Sequence, residues 1–404
     1  MEACMDFMNW LDLDMSVKLL MHLKDQSDLA RVSSVSRSWR DFVIANGLFK
    51  QLCLRMFPQL SKVTHVMELN NCGAKEPVEV GSSHSMEWES LARDHRVYAT
   101  LARVCTSFRV QDCISEAISA SSTDNYPKET IDNTLLPADI VSQRAYWSSK
   151  GQSNPAVPET LTYKLVSEFC VITEIYIHPF KAYFQRGSPI YSAKAVRFRM
   201  GHPKSPNDFG SHLLGDSLPS ADDTFIWTYT SPEFAMAQDS CLQKFRLPEP
   251  VLCIGGILQI ELLGRVQTQE IDGLFYICIS HVHVVGRCLS PAFVVENIQP
   301  SGTFVLKKDM RCKFHTQQSS PDNEAQEISD DQLQSRFRYL RNYLRNLNVI
   351  EIDEYESGEE EDVVEIEEYE SGEEEYESGE EEDVEIEEYG SGEEEDEAEE
   401  EYLL

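Results

Sequence analysis

Between Asp14 and Leu23 the apolar residues Met15, Leu19, Leu20 and Leu23 recur at spacings of three and four, which predicts one face of a short helix. Lys24 to Ser27 interrupts the pattern. Ser27 or Asp28 can cap a second helix carrying Leu29 and Val32, and Ser36 can cap a third with Trp39, Phe42 and Val43 on one side. Gly47 stands where a left-handed residue is expected after a helix. Three short amphipathic helices within about 50 residues cannot bury all their apolar surface alone, so a partner or a second domain is expected.

Pro58 to Ser85 is polar and reads as an exposed connection. Met86, Leu91, His95, Tyr98, Leu101 and Ala102 fit a further helix, which Asp112 to Ala120 extends as a second piece, together a helical stalk. From Tyr126 onward the period changes to two. Thr160–Leu165, Val171–His178, Ala195–Met200, Leu258–Leu262 and Tyr276–Val285 are β-branched and aromatic runs bounded by Pro and Gly. Val196, Phe198 and Met200 alternate with Arg197 and Arg199, and Leu258, Ile260 and Leu262 with Gln259 and Glu261, which predicts one buried and one wet face. Strands without intervening helices predict an antiparallel sandwich.

Charge divides the chain more sharply than hydropathy. Of 70 acidic residues, 31 lie between Glu351 and Leu404, where no basic residue occurs; residues 1–350 hold 39 acids against 35 bases. The near-neutral body offers no field for phosphate neutralisation, and the acidic segment repels DNA and anionic lipid, so neither nucleic acid nor a membrane is expected as a partner. The longest apolar run, Pro250 to Gly264, contains Gln259 and Glu261 and is too short and too polar to span a bilayer. Met1 to Trp10 lacks the basic and apolar regions of a secretory signal. Eleven cysteines without a C-x-x-C pair predict reduced thiols, a cytoplasmic or nuclear setting and no Cys4 zinc site.

Leu11, Leu19-Leu20, Leu23, Asp28-Leu29, Val35-Ser-Arg-Ser-Trp39-Arg40 and Leu48-Phe49 together resemble the F-box, the adaptor-binding module of SCF-type ubiquitin ligases. More closely, Trp39 to Pro58 looks like a plant F-box subfamily with a C-terminal β-domain. The resemblance implies that Leu11, Leu19, Leu20, Leu23, Leu29, Val35 and Trp39 form the contact or supporting set for a Skp-type adaptor, linked through a cullin to a RING subunit. Asp12 departs from the family, which usually has Pro there. Asp12 can start the helix through capping or dipole effects instead, with reduced adaptor affinity as the expected consequence.

The order of Tyr146 to Gly151, then Val171 to Phe180, then Leu258 to Gly286 resembles the discoidin or galactose-binding-like jelly roll, whose members bind glycans, lipids or proteins through loops at one end. Trp147, Ser148, Ser149 and Lys150, with the Phe184–Ile190 loop, are the candidate ligand rim, since an aromatic ring beside short polar groups can stack on a sugar or anchor a protein. Alternatively Trp147 plugs the sandwich.

Candidate catalytic chemistry is sparse. His281 and His283 lie two apart on a predicted strand, sharing a face with Ile277, Ile279 and Val285, and packing is favoured over a metal site because no third ligand is fixed by spacing. No phosphate loop, G-x-S-x-G or H-E-x-x-H is present, and no cofactor is expected. Neither is an enzyme: in the family the transfer chemistry belongs to other subunits.

Asp330 to Asn346 predicts an Arg-rich amphipathic helix. The repeats from Glu351 predict disorder, because self-repulsion and scarce apolar residues cannot offset ordering entropy. Ser357, Ser371, Ser378 and Ser391, each with Glu three positions on, resemble acidophilic kinase sites. Val349-Ile-Glu-Ile-Asp-Glu and Val363-Val-Glu-Ile-Glu-Glu resemble SUMO-interacting motifs.

The expected architecture is therefore α+β multidomain: an F-box (1–60), a linker and helical stalk (61–125), an antiparallel β-sandwich (126–316), a linker with the Arg-rich helix (317–350) and a disordered acidic tail (351–404). The leading functional expectation is a non-catalytic, substrate-recognising ligase subunit whose sandwich presents an unknown target protein. The alternatives are a glycan- or ligand-binding module with a vestigial F-box, and a binder of histones or other basic clients through the acidic tail.

Overall fold

Asp12 starts the first helix. Its φ of -67° and ψ of 164° place it just outside the helix, and its carboxylate accepts from the Met15 N–H at 2.7 Å, satisfying a donor the helix leaves open. Here α1 (Leu13–Met21) runs into α2 (Gln26–Val35), α3 (Arg37–Ala45) and α4 (Leu48–Met56). This computed structural model describes Met8 and residues 10–69, 83–136, 145–204, 221–296 and 298–311. The Arg-rich segment Asp330 to Asn346, the acidic repeats, Ser357, Ser371, Ser378, Ser391 and both SUMO-motif resemblances lie outside these residues.

Ser36 caps α3 as the sequence predicts, accepting from the Trp39 N–H at 3.2 Å. The α2 cap differs: Asp25 accepts from the Ser27 N–H at 2.8 Å, while Asp28 turns to Arg31 at 2.5 Å. Gly47 is left-handed at φ 56°, but it opens α4 as well as ending α3, so four helices replace the expected three. Arg55 of α4 donates to the backbone carbonyls of Met21 and Leu23, tying the end of α1 to α4.

The expected stalk does not stand free. Helix α5 (Ser83–Ser107) packs against α2, α3 and α4 and against strand β1 (Val63–Leu69), which forms inside the segment read as a connection. Its Val97, Tyr98, Leu101 and Val104 are buried among Leu29, Val43, Leu48 and Leu52. The second helical piece is absent: β2 (Gln111–Asp112) and β3 (Ile114–Ala120) occupy it, because β3 finds a partner across the sheet in β5 (Glu159–Leu165). The strands of the sandwich thus begin at Gln111 rather than Tyr126.

Two antiparallel sheets make the sandwich. One has the order β10-β8-β12-β5-β3, built from β10 (Phe234–Ala235), β8 (Ala193–Pro203), β12 (Ile257–Arg265), β5 and β3, with β9 (Phe225–Thr230) beside β8. The other has the order β11-β6-β13-β2, from β11 (Gln243–Ile254), β6 (Phe169–Lys181), β13 (Cys278–Cys288) and β2. Short strands β4 (Trp147–Ser148) and β7 (Ile190–Tyr191) join β13 and β6. Between the sheets, Val196, Phe198, Met200, Leu258, Ile260, Leu262, Ile175 and Ile177 are fully buried. A third sheet sets β15 (Phe304–Asp309) parallel to β1 and antiparallel to β14 (Phe293–Glu296).

The alternation in β12 has a different outer face from the one expected. Gln259 and Glu261 are also buried, since β12 is central and Arg197 and Arg199 of β8 lie across Glu261.

Strands β6 and β11 bury both faces where they approach the helices. Cys170, Ile172, Val251 and Cys253 point into the sandwich, whereas Phe169, Val171, Leu252 and Ile254 join the helical core with Leu289 and Phe293. The helices and the sandwich therefore share buried side chains instead of being separated by a spacer.

Candidate functional site

The residues expected at the N-terminal interface divide into two groups by their burial. Leu20 and Leu29 are buried with Val43, Leu48 and Leu52 and hold the helices together. Leu23 and Trp39 are half-buried. Leu11, Leu19 and Val35 are exposed, at 37%, 47% and 61%. Met15 and Leu19 lie four residues apart on one side of α1, and Leu13 on the same helix and Trp10 and Leu11 just before its cap are exposed with them. Large apolar side chains left in water on a helix whose opposite side is packed mark a surface suited to a protein partner. Sequence spacing found this helix but could not separate its exposed side from its core side, because Leu19 and Leu20 both fit an apolar stripe.

In the sandwich the expected rim is corrected. Trp147 and Ser149 are fully buried and Ser148 nearly so, leaving Lys150 as the exposed member. The Trp147 indole N–H donates to the Ser122 carbonyl at 3.0 Å, so the ring fills the sandwich and its one polar atom is satisfied. Ser149 helps hold the Arg265 guanidinium, which donates to its hydroxyl and to the Lys150 and Phe275 carbonyls at 2.9 Å each and is paired with Glu159. Ser121 and Ser122 donate to the Glu159 carboxylate. Both charges are buried and saturated with partners, which makes the group a structural tie.

Of the expected Phe184–Ile190 half of the rim, Phe184 is at the surface, joined by Tyr183, which lies just before it. Tyr183 and Phe184 are 51% and 69% exposed on the loop after β6. Behind them Phe180 stacks on Tyr146 at 3.8 Å, and Phe184 stands 6.3 Å from Phe180. Tyr146 donates to Glu129 at 2.7 Å, and Tyr276 to Asp272 at 2.6 Å. Burial, foremost, raises the pKa of Asp124, Asp272 raises it further, and Lys150 opposes both. This end therefore combines exposed rings with carboxylates, an arrangement able to take a polar ligand against an aromatic face.

The histidine pair lies on the opposite face from the expected one. A bulge between Ile279 and His281 shifts the phase of β13, so Ile277 and Ile279 point inward and then Val282 and Val284 do. His281 and His283 turn outward beside His178 and Tyr176, with His283 Nε2 3.9 Å from Asp112. Burial, foremost, and the neighbouring His283 hold the His281 imidazole below its ordinary value. Among the described residues no group of three His, Cys, Asp or Glu side chains is arranged to hold a metal ion. Among them, too, no helix is long and apolar enough to cross a membrane.

Comparison with known proteins falls on the same two regions. A family model described as F-box-like matches residues 14–55. The F-box protein At4g00755 of Arabidopsis thaliana is 53% identical over 308 residues, which are 75% of this chain and 82% of that protein. Among solved structures, the family 32 carbohydrate-binding module of Clostridium perfringens NanJ, in complex with galactose, is 12% identical, with 44% of this chain and 99% of that one covered and a TM-score of 0.28. The family 32 module of Streptococcus pneumoniae EndoD is 11% identical over 43% of this chain and 98% of that one, with a TM-score of 0.29.

Proposed function

The chain belongs to the F-box protein family, and on that premise we propose that it is the substrate-recognition subunit of an SCF-type cullin-RING ubiquitin ligase. The observation that carries this reading is the exposed apolar side of α1, where Met15 and Leu19, with Leu11 just before the helix, remain in water while Leu20 is buried. In this reading Leu11, Leu19 and Val35 touch a Skp-type adaptor, Leu23 and Trp39 border the contact, and Leu20 and Leu29 support it from within. The sandwich presents the target protein, and its exposed Tyr183 and Phe184 are the contact residues proposed at the rim. F-box subunits generally work as non-catalytic adaptors, and the same role is assigned here, in the cytoplasm or nucleus.

Gel filtration of the full chain with a Skp-type adaptor and the adaptor-binding region of a cullin tests the reading. Elution of all three in one stoichiometric peak supports it. Separate elution of the chain contradicts it, and leaves a ligand-binding sandwich with vestigial N-terminal helices as the second reading, for which the exposed aromatic rim speaks.

A further inference from the structure

Among the described residues strand β1 stands at the end of its sheet, whose order is β1-β15-β14. An edge strand leaves alternate N–H and C=O groups without a neighbour, and natural edges are commonly blunted by proline, lysine or a bulge. The run Val63 to Leu69 contains neither proline nor lysine, and its one register shift falls at the start, between Val63 and His65. Beside this edge lies a groove of about 300 Å³ bordered by five consecutive β1 residues, Val63 to Met67. Its other wall is one side of α5, where Ser90, Asp94 and Tyr98 recur every four residues. A strand edge facing a helix across an open groove is the geometry in which an extended peptide gains main-chain hydrogen bonds from one wall and side-chain contacts from the other.

The charges narrow the occupant. Lys50 and Arg93 both line the groove, with Asp94 as the single carboxylate. Lys50 is paired with Asp94 at 3.1 Å, and among the described residues Arg93 has no ion pair. We propose that this groove binds an extended segment of another protein, added as a strand to β1, with carboxylates at alternate positions meeting Arg93 and Lys50. The inference goes beyond the adaptor reading and does not depend on it, because none of the groove residues belongs to the exposed side of α1.

The test uses the full chain and a fluorescein-labelled peptide Ser-Val-Glu-Val-Glu-Val-Ser, in about 0.15 M salt so that long-range charge is screened. A second peptide has Lys in place of Glu, and a third has Pro in place of the central Val, which removes a main-chain donor. Saturable anisotropy change with the Glu peptide alone is expected. Arg93→Glu, an exposed position, weakens it on the order of tenfold and Arg93→Lys restores part, with the melting temperature and adaptor binding unchanged. The proposal is overturned by no binding of the Glu peptide at millimolar concentration, by equal binding of the Pro peptide, or by indifference to Arg93→Glu. A concentration-dependent dimer in sedimentation that the Glu peptide fails to dissolve assigns the edge to a second copy of this chain, and overturns it too.

Discussion

Phe169 and Phe293 meet with ring centroids 6.3 Å apart, on the side of β6 turned away from the sandwich core. Cys170, the next residue, points into that core. One strand thus contributes alternate residues to two hydrophobic interiors, and the β-sandwich and helices are expected to unfold together.

Phe169→Ala removes a fully buried ring from the shared interior and is expected to cost about 3–5 kcal/mol. Denaturant unfolding followed by far-ultraviolet dichroism and by tryptophan fluorescence checks it. Both probes should shift together in the variant, whereas independent helical and β units would separate the two curves.

Asp12→Ala deletes the α1 cap and should cost about 1 kcal/mol, weakening adaptor binding because the exposed side of α1 is no longer held in register. Asp12→Pro is expected to be tolerated better, since the φ of -67° at this position is one that proline adopts. Adaptor affinities of the three proteins, measured by calorimetry, rank the effects.

Glu159→Ala leaves the buried Arg265 guanidinium without its counter-ion and is expected to destabilise the sandwich by about 3–5 kcal/mol. The melting temperature reads this loss. A shift within error of zero would mean that the remaining carbonyl partners of Arg265 suffice.

His281 gives the pH dependence a definite sign. Its imidazole is held below the ordinary value by burial and by His283, with His178 acting in the same direction and Asp112 and the Leu136 backbone opposing. Below about pH 6.5 the unfolded chain therefore binds a proton that the folded chain resists. This contribution to stability is complete above that pH and is lost as the pH falls toward the folded value. His281→Gln should flatten the fall in melting temperature between about pH 7 and about pH 5; an unchanged slope would contradict the assignment.

Much of the helical half was legible because its signals are local: Ser36 caps α3 and Gly47 adopts the left-handed conformation. In the sandwich, Val196, Phe198 and Met200 announced their buried face through period-two spacing. What the spacing missed depends on residues distant in sequence. The bulge after Ile279 reverses which face His281 occupies, and only the register with β6 reveals it. Gln259 and Glu261 are buried because Arg197 and Arg199 lie beside them on β8. Pro248 and Pro250 conceal β11, an edge strand whose pairing shifts between Arg246 and Val251, where such residues are accepted. Trp147 reads equally as a rim or a plug until the Ser122 carbonyl is seen to receive its N–H.

In this reading the exposed side of α1, not its buried side, holds the adaptor. Calorimetric titration of the full chain with a Skp-type adaptor, wild type against Leu19→Asp, decides between the two sides. Leu19 is 47% exposed, so the variant should keep the wild-type melting temperature. Stoichiometric binding by the wild type and a loss of at least about tenfold in the variant are expected. Equal binding by both proteins, or none by the wild type, would contradict it.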